Sequence, residues 1–425
     1  MRDRTKQPKI KDAVEFDIPL RPYQKITLDN GIPVYFLNAG AEEVMMVDAV
    51  FYAGNDYESK DLLSNATNFL LKNGTTSKSA FEINEHFDYY GAYLNRHCHN
   101  ETASLSLHCL SKYCKELLPV MQEICTDSLF PQQELETYTQ NSKQQLSVNL
   151  KKCDFVANRL IDTYLYGASH PYGKVSSVEA YDNLTRDEIL SFYNKYYRNG
   201  KCIIFAAGKL PADFEHLLNN SFGKLQVTQN ITPIQHLVKP ASEKKHRIIN
   251  DPESVQGAIR IARPFPNRHH PDYKNVVILN TLLGGFFGSR LMDNIREDKG
   301  YTYGIHSFLP NHIQQTSWMI STEAGKDVCE ATVEEVYKEM EILKSEPVDE
   351  EELLLVKNYM IGSCLGDIDG PFHIISRWKN LILHGLDENH FNESINAIKK
   401  VTAEELQVLA NNYLQKDDFY ELIVF

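Results

Sequence analysis

Two short segments of the sequence carry residue types that bind metal ions. Glu82, Glu85 and His86 lie in a predicted helix at positions that share one face, where carboxylate and imidazole groups could hold a divalent cation. His97 and His99 lie on a predicted strand, so their side chains should point to the same side. A solvated helix face is the favoured interpretation of the first segment, and the second lacks a third ligand at a defined spacing. Metal binding stays open at both.

Other catalytic chemistries have little support in the sequence. The glycine-rich segment 284–288 lacks the G-x-G-x-x-G spacing and the Gly-Lys-Ser/Thr sequence of nucleotide-binding loops. No Ser/His/Asp or Cys/His set stands in a sequence context that favours nucleophilic catalysis. The eight cysteines have no C-x-x-C spacing, which is more typical of a reduced cytosolic protein than of a disulfide or zinc scaffold.

Length, charge and hydropathy exclude several classes of protein. The 425 residues predict two or three domains, each with its own core. Asp and Glu number 57 against 44 Lys and Arg, and the net charge of −13 argues against a nucleic-acid partner. No apolar run is long enough for a transmembrane helix. The basic N-terminus is followed by no apolar segment, so we predict a cytoplasmic protein, or a periplasmic one only if a leader was trimmed before this numbering.

The predicted elements mix strands and helices without strict alternation. Two apolar runs flank Asn30-Gly31 and predict a hairpin, which is followed by a buried strand at 44–52. Helices are predicted at 62–71 and 79–90 from the spacing of their apolar residues. This mixture predicts an α+β fold in which helices pack on one face of a largely antiparallel sheet.

A repeat indicates that the chain contains two homologous domains. Residues 185–196 can be superimposed on residues 402–413 at an offset of 217, and an apolar strand follows each copy. The Thr-x-x-Glu pattern at the start of the first copy is a capping box, and the second copy keeps both residues. The identical pairs are Thr185/Thr402, Glu188/Glu405, Asn194/Asn411 and Tyr196/Tyr413. We predict an N-terminal domain at 1–230, a linker at 231–245 and a homologous C-terminal domain at 246–425.

Four segments of the sequence resemble the pitrilysin/insulinase-type metallopeptidases, a family that includes the mitochondrial processing peptidase. The segments are 28–34, 52–58 with its continuation to Asn73-Gly74-Thr75, 170–173 and 284–303. The resemblance covers nearly the whole chain and agrees with the internal repeat. It implies a mitochondrial-processing-peptidase-like chain of two α+β domains, two of which close into a hollow clamshell.

The zinc motif of that family is degenerate here. Active members carry H-x-x-E-H just before the Gly-Thr turn, where two His ligate zinc and the Glu activates a water molecule. Alignment on Gly74-Thr75 places Asn65, Asn68 and Phe69 at those three positions. Phe69 cannot ligate a metal, and the amide of Asn68 is not basic enough to act as a general base. The resemblance therefore implies that this chain binds no zinc of its own.

The third zinc ligand of the family is also missing. In active members a distant Glu supplies it, but no Glu occurs between Glu136 and Glu179. Gln144 and Gln145 occupy the neighbourhood instead. Three losses together argue against zinc peptidase chemistry by this chain alone.

A second functional feature of the family is retained. Active clamshells use an Arg and a Tyr, seven residues apart, from the half opposite the zinc, and Arg296 and Tyr303 have that spacing. The resemblance implies that Arg296 holds a substrate carbonyl and that Tyr303 donates to the oxyanion formed there. We therefore predict a non-catalytic subunit of a heterodimeric zinc peptidase, which acts on a peptide substrate. Its partner would be a homologous subunit that carries H-x-x-E-H and the zinc, and a homodimer is possible in the absence of that partner.

Two other functions remain open at this point. The chain could keep the peptidase fold as a structural or peptide-binding protein without a proteolytic role, as core subunits of respiratory complexes do within the same family. It could also be a peptidase with a metal site rebuilt around Glu82, Glu85 and His86.

Overall fold

The computed structural model describes residues 11–228 and 234–425, and its strands form two separate sheets. The first sheet has the strand order β1-β2-β6-β3-β5-β4. The predicted hairpin is confirmed, because β1 and β2 pair antiparallel and Gly31 takes a positive φ of 89° in the turn. The six strands are β1 (Gln24–Thr27), β2 (Pro33–Asn38), β3 (Val44–Phe51), β4 (Tyr93–Cys98), β5 (Ala103–Leu110) and β6 (Cys202–Gly208).

The second sheet repeats this topology with one strand fewer. Its order, β7-β11-β8-β10-β9, corresponds strand for strand to β2-β6-β3-β5-β4. In each sheet the last strand along the chain pairs parallel to one neighbour and all the other pairings are antiparallel. The α+β fold with two homologous domains is therefore confirmed. The strands are β7 (Lys245–Ile248), β8 (Gln256–Phe265), β9 (Thr302–Phe308), β10 (Thr316–Gly325) and β11 (Tyr420–Val424).

Fourteen α-helices of the described residues pack around these sheets. Those of the first half are α1 (Leu63–Leu70), α2 (Ala80–Tyr89), α3 (Cys114–Asp127), α4 (Gln132–Asn149), α5 (Cys153–Tyr166), α6 (Val178–Asp182), α7 (Arg186–Tyr193) and α8 (Phe214–Ser221). Those of the second half are α9 (Tyr273–Asn280), α10 (Cys329–Ser345), α11 (Glu350–Gly366), α12 (Pro371–Leu383), α13 (Glu388–Lys400) and α14 (Ala403–Tyr413). None of the described helices is long and apolar enough to cross a membrane.

The repeated helices α7 and α14 begin in the same way. In each, the threonine before the helix accepts a hydrogen bond from the backbone of the glutamate three residues later, whose carboxylate accepts one in return. The reciprocal bonds satisfy backbone donors that the first helical turn leaves unpaired. Each helix then leads into the strand that lies beside the central strand of its sheet, β6 or β11. The capping box of the repeat therefore starts a helix at the equivalent place in both halves.

One helix of each half packs on the sheet of the other half. Helix α5 lies against β8 and β11, and α12 lies against β2 and β6. Because side chains alternate along a strand, Ile204 faces the core of the first sheet while Phe205 faces the opposite side, in the core that contains Trp378 of α12. Most helices lie on one face of each sheet, as predicted, and the exchanged helices cover the other face.

The linker predicted at 231–245 lies partly outside the described residues, because these exclude 229–233. Its last residue, Lys245, is the first residue of β7. Residues 1–10 of the predicted N-terminal domain are outside them as well. The division at 230 and 246 therefore stays a prediction.

Candidate functional site

Helix α1 carries the three positions of the degenerate zinc motif. It follows Leu62, which adopts a left-handed backbone conformation (φ 71°) that is unusual for leucine. Leu63, Ala66 and Leu70 of the helix face the core of the first sheet. Asn65 and Phe69, four residues apart, therefore lie together on the exposed face, whereas Asn68 is buried.

An arginine and a tyrosine cover Phe69 at the position of the second zinc-binding His. The guanidinium carbon of Arg96, on β4, lies 4.7 Å from the ring centre of Phe69, and the ring of Tyr138 lies 4.9 Å from it. Arg96 also donates a hydrogen bond to the carbonyl oxygen of Phe69. Burial lowers the pKa of Arg96 to about 10, so the side chain stays a cation at neutral pH. A zinc ion does not fit these residues, because the ligands are gone and a fixed positive charge repels a second cation.

The two asparagines of the motif make structural hydrogen bonds. The Asn65 amide donates to Oδ1 of Asn55 at 3.0 Å. The buried Asn68 amide donates to the hydroxyl of Tyr197 at 3.1 Å, which ties α1 to the turn that follows α7. Neither group can take up a proton as a general base. On α4, which packs against α1, Gln144 and Gln145 are exposed and offer only amide groups.

Arg296, in the helical segment Met292–Asp298, lies beside Tyr303 of β9. The guanidinium carbon of Arg296 lies 5.7 Å from the ring centre of Tyr303 and 4.6 Å from that of Phe287, which belongs to the glycine-rich loop. Arg296 is also ion-paired with its neighbour Glu297. We call Arg296, Tyr303 and Phe287 the Arg–Tyr cluster.

A β-bulge aims Tyr303 away from the sheet. Thr302 and Ile305 of β9 pair with Ala324 and Thr322 of β10, so two residues of β9 lie opposite one residue of its neighbour. Bulges of this kind redirect side chains and are frequent beside functional sites. The strand is at the edge of its sheet, and Tyr303 is 93% exposed. Its hydroxyl and the donors of Arg296 can therefore meet a carbonyl group that another molecule presents.

The degenerate motif and the Arg–Tyr cluster lie in different halves of the chain. Asn65 and Phe69 belong to α1 beside the first sheet, and Tyr303 belongs to the second sheet. No hydrogen bond, ion pair or ring contact of the described residues joins the two groups. The chain thus presents the two groups separately.

The two segments that carry metal-binding residue types contact other parts of the protein. The Ser79 backbone N–H donates to the Glu82 carboxylate at 2.8 Å and the Glu82 backbone N–H donates to the Ser79 hydroxyl at 3.3 Å, which together form the capping box of α2. The Nε2 atom of His86 lies 3.1 Å from a backbone carbonyl oxygen of α3. His97 lies on β4 and His99 lies just beyond its end, and their nearly parallel rings have centres 6.2 Å apart. Across residues 11–228 and 234–425, no three His, Cys, Asp or Glu residues are placed to hold a metal ion.

The sequence reasoning missed a buried cluster of polar groups between the two halves. Glu101, after β4, accepts hydrogen bonds from the hydroxyl of Tyr172 and from the backbone of Ile313 in the second half, the latter at 2.9 Å. Gln314 donates to Asp56 at 2.6 Å. Burial and the nearby Glu101 carboxylate raise the pKa of Asp56 to about 7. In the sequence, only segment 170–173, which contains Tyr172, pointed to this region. The segment was one of the four that resemble the family, but no function was assigned to it.

Comparison with known proteins identifies similar chains. Residues 183–360 match the family model described as the peptidase M16 inactive domain. The uncharacterized zinc protease YmxG of Bacillus subtilis (strain 168) is 22% identical over 404 residues, which are 94% of this chain and 98% of YmxG.

Solved structures share the fold. A peptidase M16 inactive domain from Pseudomonas fluorescens superimposes with a TM-score of 0.86 at 23% identity, and the match covers 95% of this chain and 98% of that one. The periplasmic protease PqqL from Escherichia coli gives a TM-score of 0.76 at 14% identity, over 96% of this chain but only 46% of PqqL. The matched family model, the relatives along nearly the whole chain and the resemblance of the four segments lead to one conclusion: residues 183–360 match the M16 peptidases, the pitrilysin/insulinase type, and this chain resembles that family along nearly its whole length.

Proposed function

We propose that this chain is the non-catalytic subunit of a heterodimeric zinc peptidase and supplies Arg296 and Tyr303 to the zinc site of a homologous partner. The observation that carries the proposal is the contrast between the two groups. Tyr303 is exposed and lies beside Arg296, whereas Phe69 and Arg96 occupy the zinc-binding face of α1. A chain that carries the Arg–Tyr pair but no zinc ligands needs a second chain to supply the zinc site.

The residues of this chain would act on the carbonyl group of the scissile bond. The partner's zinc would supply the activated water. The planar fork of Arg296 donors would hold the substrate backbone, and contact with the Phe287 ring fixes the direction of that fork. The Tyr303 hydroxyl would donate to the oxygen that becomes negative in the transition state, where such a bond is strongest.

Reconstitution from purified subunits tests the proposal. We expect the chain alone to hold no stoichiometric zinc and to cleave no peptide. Addition of a homologous H-x-x-E-H subunit of similar length should produce cleavage that a chelator abolishes. Chelator-sensitive cleavage by the pure chain would contradict the proposal, and so would a complete lack of complex formation with every such homologue of the same organism.

A structural or peptide-binding role without proteolysis is the second candidate. One observation favours it: Arg296 is ion-paired with Glu297 and packed on Phe287, contacts that a surface arginine without a role in catalysis also makes. This function predicts a homodimer or a stable complex without peptidase activity. It also predicts that changes at Tyr303 have no effect on the complex.

A further inference from the structure

A cavity of about 420 Å³ lies in the second half, between α9, α11, α12, α13 and the end of β9. We call it the α9–α13 cavity. Its walls are mainly apolar and include Val277, Phe308, Met360, Leu381, Phe391 and Ile395. Polar residues also line it, but Asn280 is already bonded to the Ser307 backbone at 3.0 Å and Thr281 to the Val277 carbonyl at 2.8 Å. These two side chains are therefore already paired within the wall.

One end of the cavity is positively charged. Lys274 is ion-paired with Glu393 and Arg377 with Asp367, so these two cations are compensated. Arg268 is not. Its guanidinium donates to side-chain amide oxygens, to that of Asn380 at 2.8 Å and to that of Asn311, and lies beside the phenol of Tyr273, but it has no ion-pair partner among the described residues. Its Nε atom is buried and has no hydrogen-bond partner among the described residues.

The titratable neighbours of Arg268 respond to this uncompensated charge. Burial lowers the pKa of His384 to about 3, and Arg268 adds to the effect. The pKa of His390, which lines the cavity, is lowered by burial and then by Lys274 and Arg268. Burial and the neighbouring Arg377 lower the pKa of Arg268 itself. Partial burial of an arginine without a carboxylate partner raises the free energy of the folded state. An anion bound beside the guanidinium would lower it again.

We propose that the α9–α13 cavity binds a small carboxylic acid with an apolar tail, such as a medium-chain fatty acid. The carboxylate would accept hydrogen bonds from the terminal N–H groups of Arg268 that the two asparagine side chains leave unused, and the tail would lie among the apolar side chains of α9, α11 and α13. A peptide fits less well, because its backbone amides would lose hydrogen bonds to water against walls that are mainly apolar. This site is independent of the Arg–Tyr cluster.

Calorimetric titration of the full chain with octanoate tests this inference. We expect binding of one octanoate per chain, weaker binding of octanol and none of octyltrimethylammonium, because only octanoate combines the tail with a negative charge. Arg268→Gln should weaken octanoate binding about ten- to a hundredfold, the effect of one hydrogen bond between charged groups, and leave octanol unchanged. The matched control is Arg186→Gln, since Arg186 is bonded to backbone carbonyls of the first half and should not affect either ligand.

Two further variants distinguish a loss of binding from a folding defect. Arg268→Lys keeps the charge and should retain part of the octanoate affinity. Val277→Phe should fill the cavity and reduce octanoate and octanol binding alike. Equal affinity of the wild-type chain for octanoate, octanol and octyltrimethylammonium would overturn the inference without any variant, as would the absence of octanoate binding.

Discussion

The guanidinium carbon of Arg96 lies 4.7 Å from the ring centre of Phe69, at the helix position where active relatives carry a zinc-binding histidine. The two residues are 27 positions apart and belong to different elements, β4 and α1. The alignment on Gly74-Thr75 places this aromatic–cation pair where a zinc ligand is expected, so its positive charge would oppose a metal ion there as well. Restoring ligands alone should therefore not restore the metal.

Zinc binding should depend on Arg96 even after the motif is repaired. We expect the double variant Asn65→His with Phe69→His to bind zinc weakly, because the ligands return next to a fixed positive charge. Addition of Arg96→Gln should tighten zinc binding at least tenfold, measured by competition with a chromophoric chelator. Arg186→Gln in the same background is the control and should change nothing. Equal zinc affinity with and without Arg96 would show that its charge does not oppose the metal.

Loss of the Tyr303 hydroxyl should slow the reconstituted peptidase. Tyr303→Phe keeps the ring contact with Arg296 and removes only the donor, so we expect kcat of the mixture to fall by about 10²–10³ with little change in KM. Tyr93→Phe is a matched control, because Tyr93 is 63% exposed on the edge strand of the other sheet. Equal turnover of the wild-type and Tyr303→Phe mixtures would remove Tyr303 from the mechanism.

The two repeated capping boxes should contribute similar amounts of stability. Thr185→Ala and Thr402→Ala each remove an N-cap side chain that accepts a backbone hydrogen bond. We expect each variant to lose about 1 kcal/mol of unfolding free energy, measured by urea denaturation. The serine variants should retain most of it, because serine can make the same bond. A loss confined to one of the two positions would argue against equivalent roles.

The pH dependence of stability should reveal Asp56. Because its pKa is raised to about 7, the folded protein holds a proton that the unfolded chain has already released. Asp56 therefore contributes stability at low pH that disappears as the pH rises toward about 7. We expect Asp56→Asn, which cannot titrate, to gain in unfolding free energy relative to the wild type across that range, by up to about 1.4 kcal/mol per pH unit.

Only the difference between the two proteins isolates this effect. Burial and the nearby His236 lower the pKa of His170 to about 4, so this residue contributes stability at neutral pH that is lost as the pH falls. The two trends oppose each other in the wild type. Urea denaturation of both proteins at about one-unit steps from pH 5 to pH 8 measures the difference. A difference that stays constant over these steps would mean that Asp56 has an ordinary pKa.

Local patterns were enough to predict much of the fold. The Asn30-Gly31 hairpin, helix α1 and the two capping boxes depend on residues a few positions apart, whose backbone preferences act over that distance. The offset of 217 residues between the repeats was visible for the same reason. The sequence also shows that Phe69 cannot ligate a metal, because its side chain has no donor atom in any fold.

The tertiary structure alone decided which surfaces meet. Periodicity shows that a helix has an apolar face but not which sheet covers it, so the exchange of α5 and α12 between the halves could not be foreseen. The same holds for Arg96 over Phe69, for Glu101 against the second half, and for Arg268 without a carboxylate. Each depends on distances between residues far apart in sequence. Burial and pairing of charges arise only when the chain has folded, and they determine which polar groups are left free to act.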